Sequence, residues 1–213
     1  MRRSPPEVYG GYLRFQVLFC TAMHSTDADT LSRPLRADAQ RNRERLIAAA
    51  RDAFAEHGAS TSLEDIARRA GVGIGTLYRN FPNRQTLLEA VYVKEVQEVC
   101  RTADDVASLP PWEALAGWLD RVVSYLATKQ ALANELLDYV DRGAPLFTDC
   151  RRALFDAGGP LLERAQSSGV AREDTDIGEV VQIVGAITKI PGLEPGQREH
   201  MLRIAIDGLR ARP

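Results

Sequence analysis

Between residues 71 and 81 the chain reads GVGIGTLYRNF. Gly71, Gly73 and Gly75 alternate with apolar residues, and Thr76, Tyr78, Arg79 and Asn80 follow. Glycines that expose backbone N–H groups, beside hydroxyls and a guanidinium, suit phosphate binding. The phosphates could be those of a nucleotide cofactor or those of a nucleic-acid backbone. A dinucleotide fingerprint needs G-x-G-x-x-G between a strand and a helix. Gly71 and Gly73 fit, but Thr76 stands where the third glycine belongs, and residues 62–69 ahead of it read as a capped helix. The G-K-[ST] of a Walker loop is absent. Two short helices joined by a glycine-containing turn match a helix-turn-helix instead, with the motif over about 62–81. Its second helix presents N-terminal residues to base edges in the major groove.

Each side chain then has a task. Leu77 anchors the second helix to the core, while Thr76, Arg79 and Asn80 reach groove or backbone. Arg and Asn make paired hydrogen bonds to guanine and adenine edges. The Tyr78 hydroxyl can donate to phosphate, and Arg84 adds charge at the start of the next helix, beside exposed N–H groups. Arg41, Arg43 and Arg45 read equally as a solvated face or as further phosphate contacts. No Ser-His-Asp set, paired carboxylates or metal-ligand spacing is present, so neither cofactor nor metal is expected, and the chain does not read as an enzyme. Cys20, Cys100 and Cys150 form no CxxC, which speaks against disulfides and zinc and fits a reducing compartment. Cys150 has Arg151 and Arg152 beside it, and a redox role would require a lowered thiol pKa.

Positioning these groups takes helices. Leu46, Ala50, Ala53, Phe54 and His57 share one face of a helix over about 38–57, stopped at Gly58. Thr61 and Ser62, followed by Glu64 and Asp65, form a capping-box pattern for a helix ending near Arg69. The next helix covers 74–80 and ends before Pro82. Asn83 caps a long one over about 84–104. Trp112, Leu115, Leu119, Val122 and Leu126 make one apolar stripe, and Trp118, Val122 and Tyr125 a second, so this helix is central. Leu132, Leu136, Leu137 and Val140 mark a separate helix. Another, from about 147 to 157, is broken or kinked at Gly158-Gly159-Pro160 and resumes to Gly169. Asp176 caps a helix with Ile177, Val180, Val181, Val184 and Ile187 inward, and 197–210 forms the last. No alternating strand is found, so the fold class is all-α.

Composition agrees: 213 residues, 45% apolar and 26% charged, describe an ordinary globular chain. The net charge of −2 hides an asymmetry, because residues 33–94 hold 11 Arg and Lys against 7 Asp and Glu. That is +4 in front and −6 elsewhere, the pattern of a polyanion-binding domain joined to something else. No apolar run approaches the ~18 residues of a membrane span. Residues 1–36 read as a disordered extension in which Arg14 and Gln16 interrupt any signal-peptide core, and Met23 is a candidate start.

The stretch AARDAFAEHGASTSLEDIARRAGVGIGTLYRNFPNRQTLLEAV resembles the DNA-binding domain of the TetR family of bacterial transcriptional regulators, over about residues 40–95. PWEALAGWLDRVVSYLA and GGPLLERAQSSG are similar to the SbtR-type effector domain of that family. The resemblance implies a three-helix DNA-binding domain over 37–83 and a helical ligand-binding and dimerisation domain over 84–213. It implies that Ser62, Thr76, Tyr78 and Arg84 hold phosphates and that Ile74, Gly75, Arg79 and Asn80 read bases. Gly73 departs from the Ser or Thr common at its position. The expected protein is a cytoplasmic, nucleoid-associated homodimer on double-stranded palindromic DNA, most simply a repressor released by an unknown small molecule. Control by a protein partner, without such a pocket, is the alternative. The expected pocket comprises Trp118, Val122, Tyr125, Tyr139, Phe147, Cys150, Leu154 and Ile183. The expected dimer face comprises Val181, Val184, Gly185, Met201, Ile204, Ala205 and Gly208, where small residues permit close helix approach. The resemblance also makes the fourth helix the lever between effector and DNA.

Overall fold

The computed structural model describes residues 33–141, 143–194 and 196–211. Two compact units divide the backbone, Met1–Gln40 and Arg41–Pro213. Helix α1 (Arg33–His57) begins in the first and continues into the second, which holds the other described elements. A 3-10 turn (Gly58–Ser60) follows, then α2 (Leu63–Arg69), α3 (Ile74–Asn80), α4 (Arg84–Asp105), α5 (Pro111–Leu136), α6 (Pro145–Ser167), α7 (Ile177–Thr188) and α8 (Gln197–Asp207). Among the described residues the chain is helical throughout, with one antiparallel bridge between Ala171 and Arg210. No described helix is long and apolar enough to cross a membrane.

The helix ends follow local chemistry. Ser62 Oγ accepts from the Asp65 N–H at 3.0 Å and starts α2. Asn83 and Thr86 form a reciprocal capping box at α4, as Asp176 and Glu179 do at α7. Behind these caps, Leu46, Ala50, Ala53 and Phe54 of α1 meet Ile66, Leu77, Leu87 and Val91 in an apolar cluster that continues to Leu202 of α8. α5 lies at its centre, against α4, α6 and α7, with Leu115, Trp118, Leu119 and Val122 fully buried.

Four expectations change. α1 starts at Arg33, inside the supposed extension; Pro34 is tolerated because first-turn N–H groups have no helical partner. Residues 1–32, with Met23, lie outside the described residues. His57 is exposed rather than inward and turns to Glu56 and Arg69. α5 runs unbroken to Leu136, since nothing between Leu126 and Leu132 stops a helix, and Leu137 and Val140 fall in the turn beyond. α6 is continuous through Gly158-Gly159-Pro160, so the segment does not break the helix. Gly158 is there for approach: a Cβ would collide with the Trp118 ring, so α6 can lie on α5 only with glycine at 158.

Candidate nucleic-acid interface

Helix α2 ends in a Schellman motif. The Gly71 N–H reaches the Arg68 carbonyl (3.1 Å) and the Val72 N–H that of Ala67 (3.0 Å), with Gly71 at φ +65°. A side chain at 71 would strain that left-handed turn, so glycine is required by the backbone. The turn sets α3 with Leu77 and Phe81 buried at 0% and 1% exposure. Outward from α3 stand Ile74 and Tyr78, 38% and 47% exposed, with Gly73, Gly75 and Arg79 also on the surface. A Cβ at Gly73 or Gly75 would meet nothing within 4 Å, so neither glycine is imposed by packing.

The polar side chains of α3 are partly committed to each other. Arg79 Nη2 donates to Thr76 Oγ1 at 2.9 Å, and Asn80 Nδ2 donates to the Thr76 carbonyl at 2.8 Å. Asn80 is thereby half-buried and tied to its own helix, whereas Arg79 stays exposed. Ser62 is exposed at the start of α2, its oxygen accepting from Asp65 while its O–H remains a donor.

Arg84, expected at a phosphate, has partners within the chain. Its guanidinium lies 4.9 Å from the Phe54 ring centroid, donates to the Thr61 carbonyl and pairs with Glu135. A buried carboxylate and carbonyl hold it inward, away from the surface of α3 that meets solvent. Two arginines left open by the sequence lie closer to that surface. Arg43 stacks 4.5 Å over the Phe81 ring at the end of α3, and its burial lowers its pKa. Arg45 donates to Asn42 and reaches the Gly71 turn, its Nη1 3.9 Å from where a Cβ would stand. Their placement depends on the crossing of α1 over the motif, for which no spacing rule exists. Arg69 ties α1 to α2 through Glu56 (2.7 Å) and Asp65 (2.8 Å) and is raised in pKa by those hydrogen bonds, Glu56 first.

The residues of the expected effector pocket differ in exposure. Trp118, Val122, Tyr125, Cys150 and Leu154 are packed core, Phe147 is half-buried edge-on to Tyr92 (5.4 Å), and Tyr139 and Ile183 are exposed. The Trp118 indole lies against Gly158. Its N–H finds no acceptor among the described residues. Burial raises the pKa of both the Tyr92 and the Tyr125 phenol. A cleft of about 290 Å³ lies elsewhere, between α1, α4 and α5, and shares only Tyr125 with the expected set. Phe54, Val99 and Leu132 supply apolar lining, with Arg51, Glu95, Glu98 and Arg121 as polar lining. Burial raises the pKa of Glu95, opposed by Arg51 at 3.9 Å.

The expected dimer face is also redrawn. Val181 and Val184 belong to the chain's own core, with Val180, one turn-face of α7. Ile183 faces out at 49% and Ile204 of α8 at 60%. Gly185, Met201 and Ala205 are half-buried, and Gly208 is exposed.

Residues 46–91 match the family described as bacterial regulatory proteins, tetR family, and residues 110–211 match the transcriptional regulator SbtR-like C-terminal domain. Among solved structures, the chain is similar to a TetR transcriptional regulator of Streptomyces coelicolor: 36% identity, TM-score 0.70, 80% of this chain and 99% of that one. It is similar to a TetR transcription regulatory protein of Mycobacterium vanbaalenii at 36% identity and TM-score 0.67, covering 84% and 100% of the two chains. It is 29% identical to the HTH-type transcriptional repressor KstR of Mycobacterium tuberculosis over 147 residues, 66% of this chain. The chain spans 66% of KstR and 40% of a Staphylococcus aureus HTH-type transcriptional regulator. All of these relatives are named as regulators of transcription and none as an enzyme.

Proposed function

The chain belongs to the TetR family of bacterial transcriptional regulators and binds DNA, and on that premise we propose a homodimeric repressor released from a palindromic operator by a small-molecule effector. The observation that carries this reading is α3 itself: seven residues, anchored by Leu77, with Ile74, Gly75, Tyr78 and Arg79 turned outward. So short a helix contacts few bases, and a second copy doubles the contacts on a symmetric site. In this reading Arg79 meets a guanine edge and Ile74 a thymine methyl. Ser62, Thr76 and Tyr78 hold phosphates, Gly73 and Gly75 leave room for the groove, and Asn80 braces the helix. The exposed Ile183 and Ile204, with Met201, Ala205, Gly185 and Gly208 near them in sequence, are the surface a second copy covers. The repressor role follows that of the Mycobacterium tuberculosis relative, a transcriptional repressor. Its place of action is the cytoplasm, on nucleoid DNA.

The effector site of this reading is the cleft between α1, α4 and α5. At about 290 Å³ it suits a small amphipathic organic molecule, at the lower end of the ~300–1,000 Å³ of ligand pockets. Control by a protein partner, without a small-molecule pocket, is the second reading. Selection from a random duplex pool tests the first claim. An inverted repeat with half-sites roughly 34–36 Å apart is expected; an asymmetric motif overturns the palindromic dimer. Release of the selected duplex by the dialysable fraction of a cell extract supports a small effector, and release only by the macromolecular fraction supports the partner.

A further inference from the structure

Four elements converge on Arg84. Phe54 comes from α1, Thr61 from the segment leading into α2, Arg84 from the first position of α4, and Glu135 from the end of α5. Arg84 Nε donates to Glu135 Oε1 at 2.7 Å, Nη2 donates to the same oxygen, and Nη1 donates to the Thr61 carbonyl. The two charged side chains keep only 19% and 7% of their surface. Thr61 is itself held, its hydroxyl donating to the Ala53 carbonyl at 2.9 Å, and the next residue, Ser62, caps α2.

Burying two charges costs desolvation that their attraction does little more than offset, and an apolar pair of similar volume commonly stabilises a fold as well. What the ion pair adds is direction. A planar guanidinium satisfied by one carboxylate and one carbonyl admits a single orientation. Here the carbonyl leads into the helix-turn-helix, and the carboxylate sits one residue before the end of α5. We propose that Arg84 and Glu135 are positioning residues for DNA binding, a clamp that sets α2 and α3 against the end of α5, and that Arg84 does not bind phosphate. A ligand or partner that shifts the end of α5 moves Thr61 with it. This inference rests on DNA binding alone and not on the proposed effector or symmetry.

The test uses the full chain and the duplex that the wild type enriches from a random pool. Arg84→Gln, Glu135→Gln and the double variant are titrated with that duplex at several salt concentrations. Each single variant is expected to lose about tenfold in affinity, and the double no more than either, because one unit has been broken. The salt slope stays at the wild-type value, since no phosphate contact is removed; each such contact contributes about 0.9 to it. A fall in slope of about one for Arg84→Gln, with wild-type or tighter binding by Glu135→Gln, overturns the clamp and makes Arg84 a phosphate ligand. If an unpaired buried charge unfolds the single variants, Arg84→Met/Glu135→Leu carries the test. It is expected to keep the wild-type melting temperature and slope yet bind more weakly; a folded double variant with wild-type affinity overturns the proposal. Should the wild type enrich no sequence, the DNA-binding reading itself falls, which separates the two failures.

Discussion

Leu77 and Tyr78 are neighbours in sequence and opposite in fate, 0% and 47% exposed. Helical periodicity alone assigns that difference, and it leaves the Tyr78 hydroxyl available to DNA. Tyr78→Phe removes only this group. Affinity for the selected duplex is expected to fall at least tenfold, as one hydrogen bond to a charged partner is worth ~1.5–3 kcal/mol. The melting temperature stays unchanged, and anisotropy titrations with thermal melts check both. Glu95 gives a pH-dependent expectation. Burial raises its pKa above the ordinary 4.5, so the folded chain holds that proton more tightly than the unfolded chain. Its favourable contribution is present below the ordinary value and is lost as pH rises through the raised one. Glu95→Gln, which never ionises, should therefore melt higher than wild type near pH 7, with the advantage gone near pH 4. Equal melting curves at both pH values count against the burial of this carboxyl. Arg84 is not legible at this scale, because a basic residue at a helix start looks the same in sequence whether phosphate or a buried carboxylate awaits it.

Helix boundaries at α2, α3, α4 and α7 were legible because caps and stops are local. Ser62, Gly71, Asn83 and Asp176 act through backbone groups two or three positions away. Gly158-Gly159-Pro160 reads as a break or a kink on the same logic, yet the helix continues through it. α6 tolerates the weak helix formers because the missing Cβ at 158 admits the Trp118 ring of α5. Gly158→Ala is expected to destabilise the chain by ~1–3 kcal/mol through overpacking. Gly159→Ala, where a Cβ meets nothing within 4 Å, should stabilise by up to ~1 kcal/mol. Chemical denaturation of the two variants decides it, and equal effects would refute the contact.

For the whole molecule, the proposed dimer requires a surface that a second copy covers, and Ile183 and Ile204 provide its apolar groups. Ile183→Asp/Ile204→Asp is expected to weaken self-association at least tenfold, read by sedimentation, with the helical spectrum intact. A wild-type chain that sediments as a monomer overturns the dimer, and a variant that still pairs places the interface elsewhere. The sequence by itself determined that this protein is all-helical, that residues 62–81 form a helix-turn-helix, and that it belongs with TetR-type regulators. Those properties rest on periodicity, caps and a turn glycine, each acting within a few residues. Only the tertiary structure decided which arginines face solvent and where a cleft is open. These depend on contacts between residues far apart in the chain: Arg84 with Glu135, Gly158 with Trp118, and α1 with α4 and α5. No short spacing encodes such contacts, because they arise only when the helices have packed.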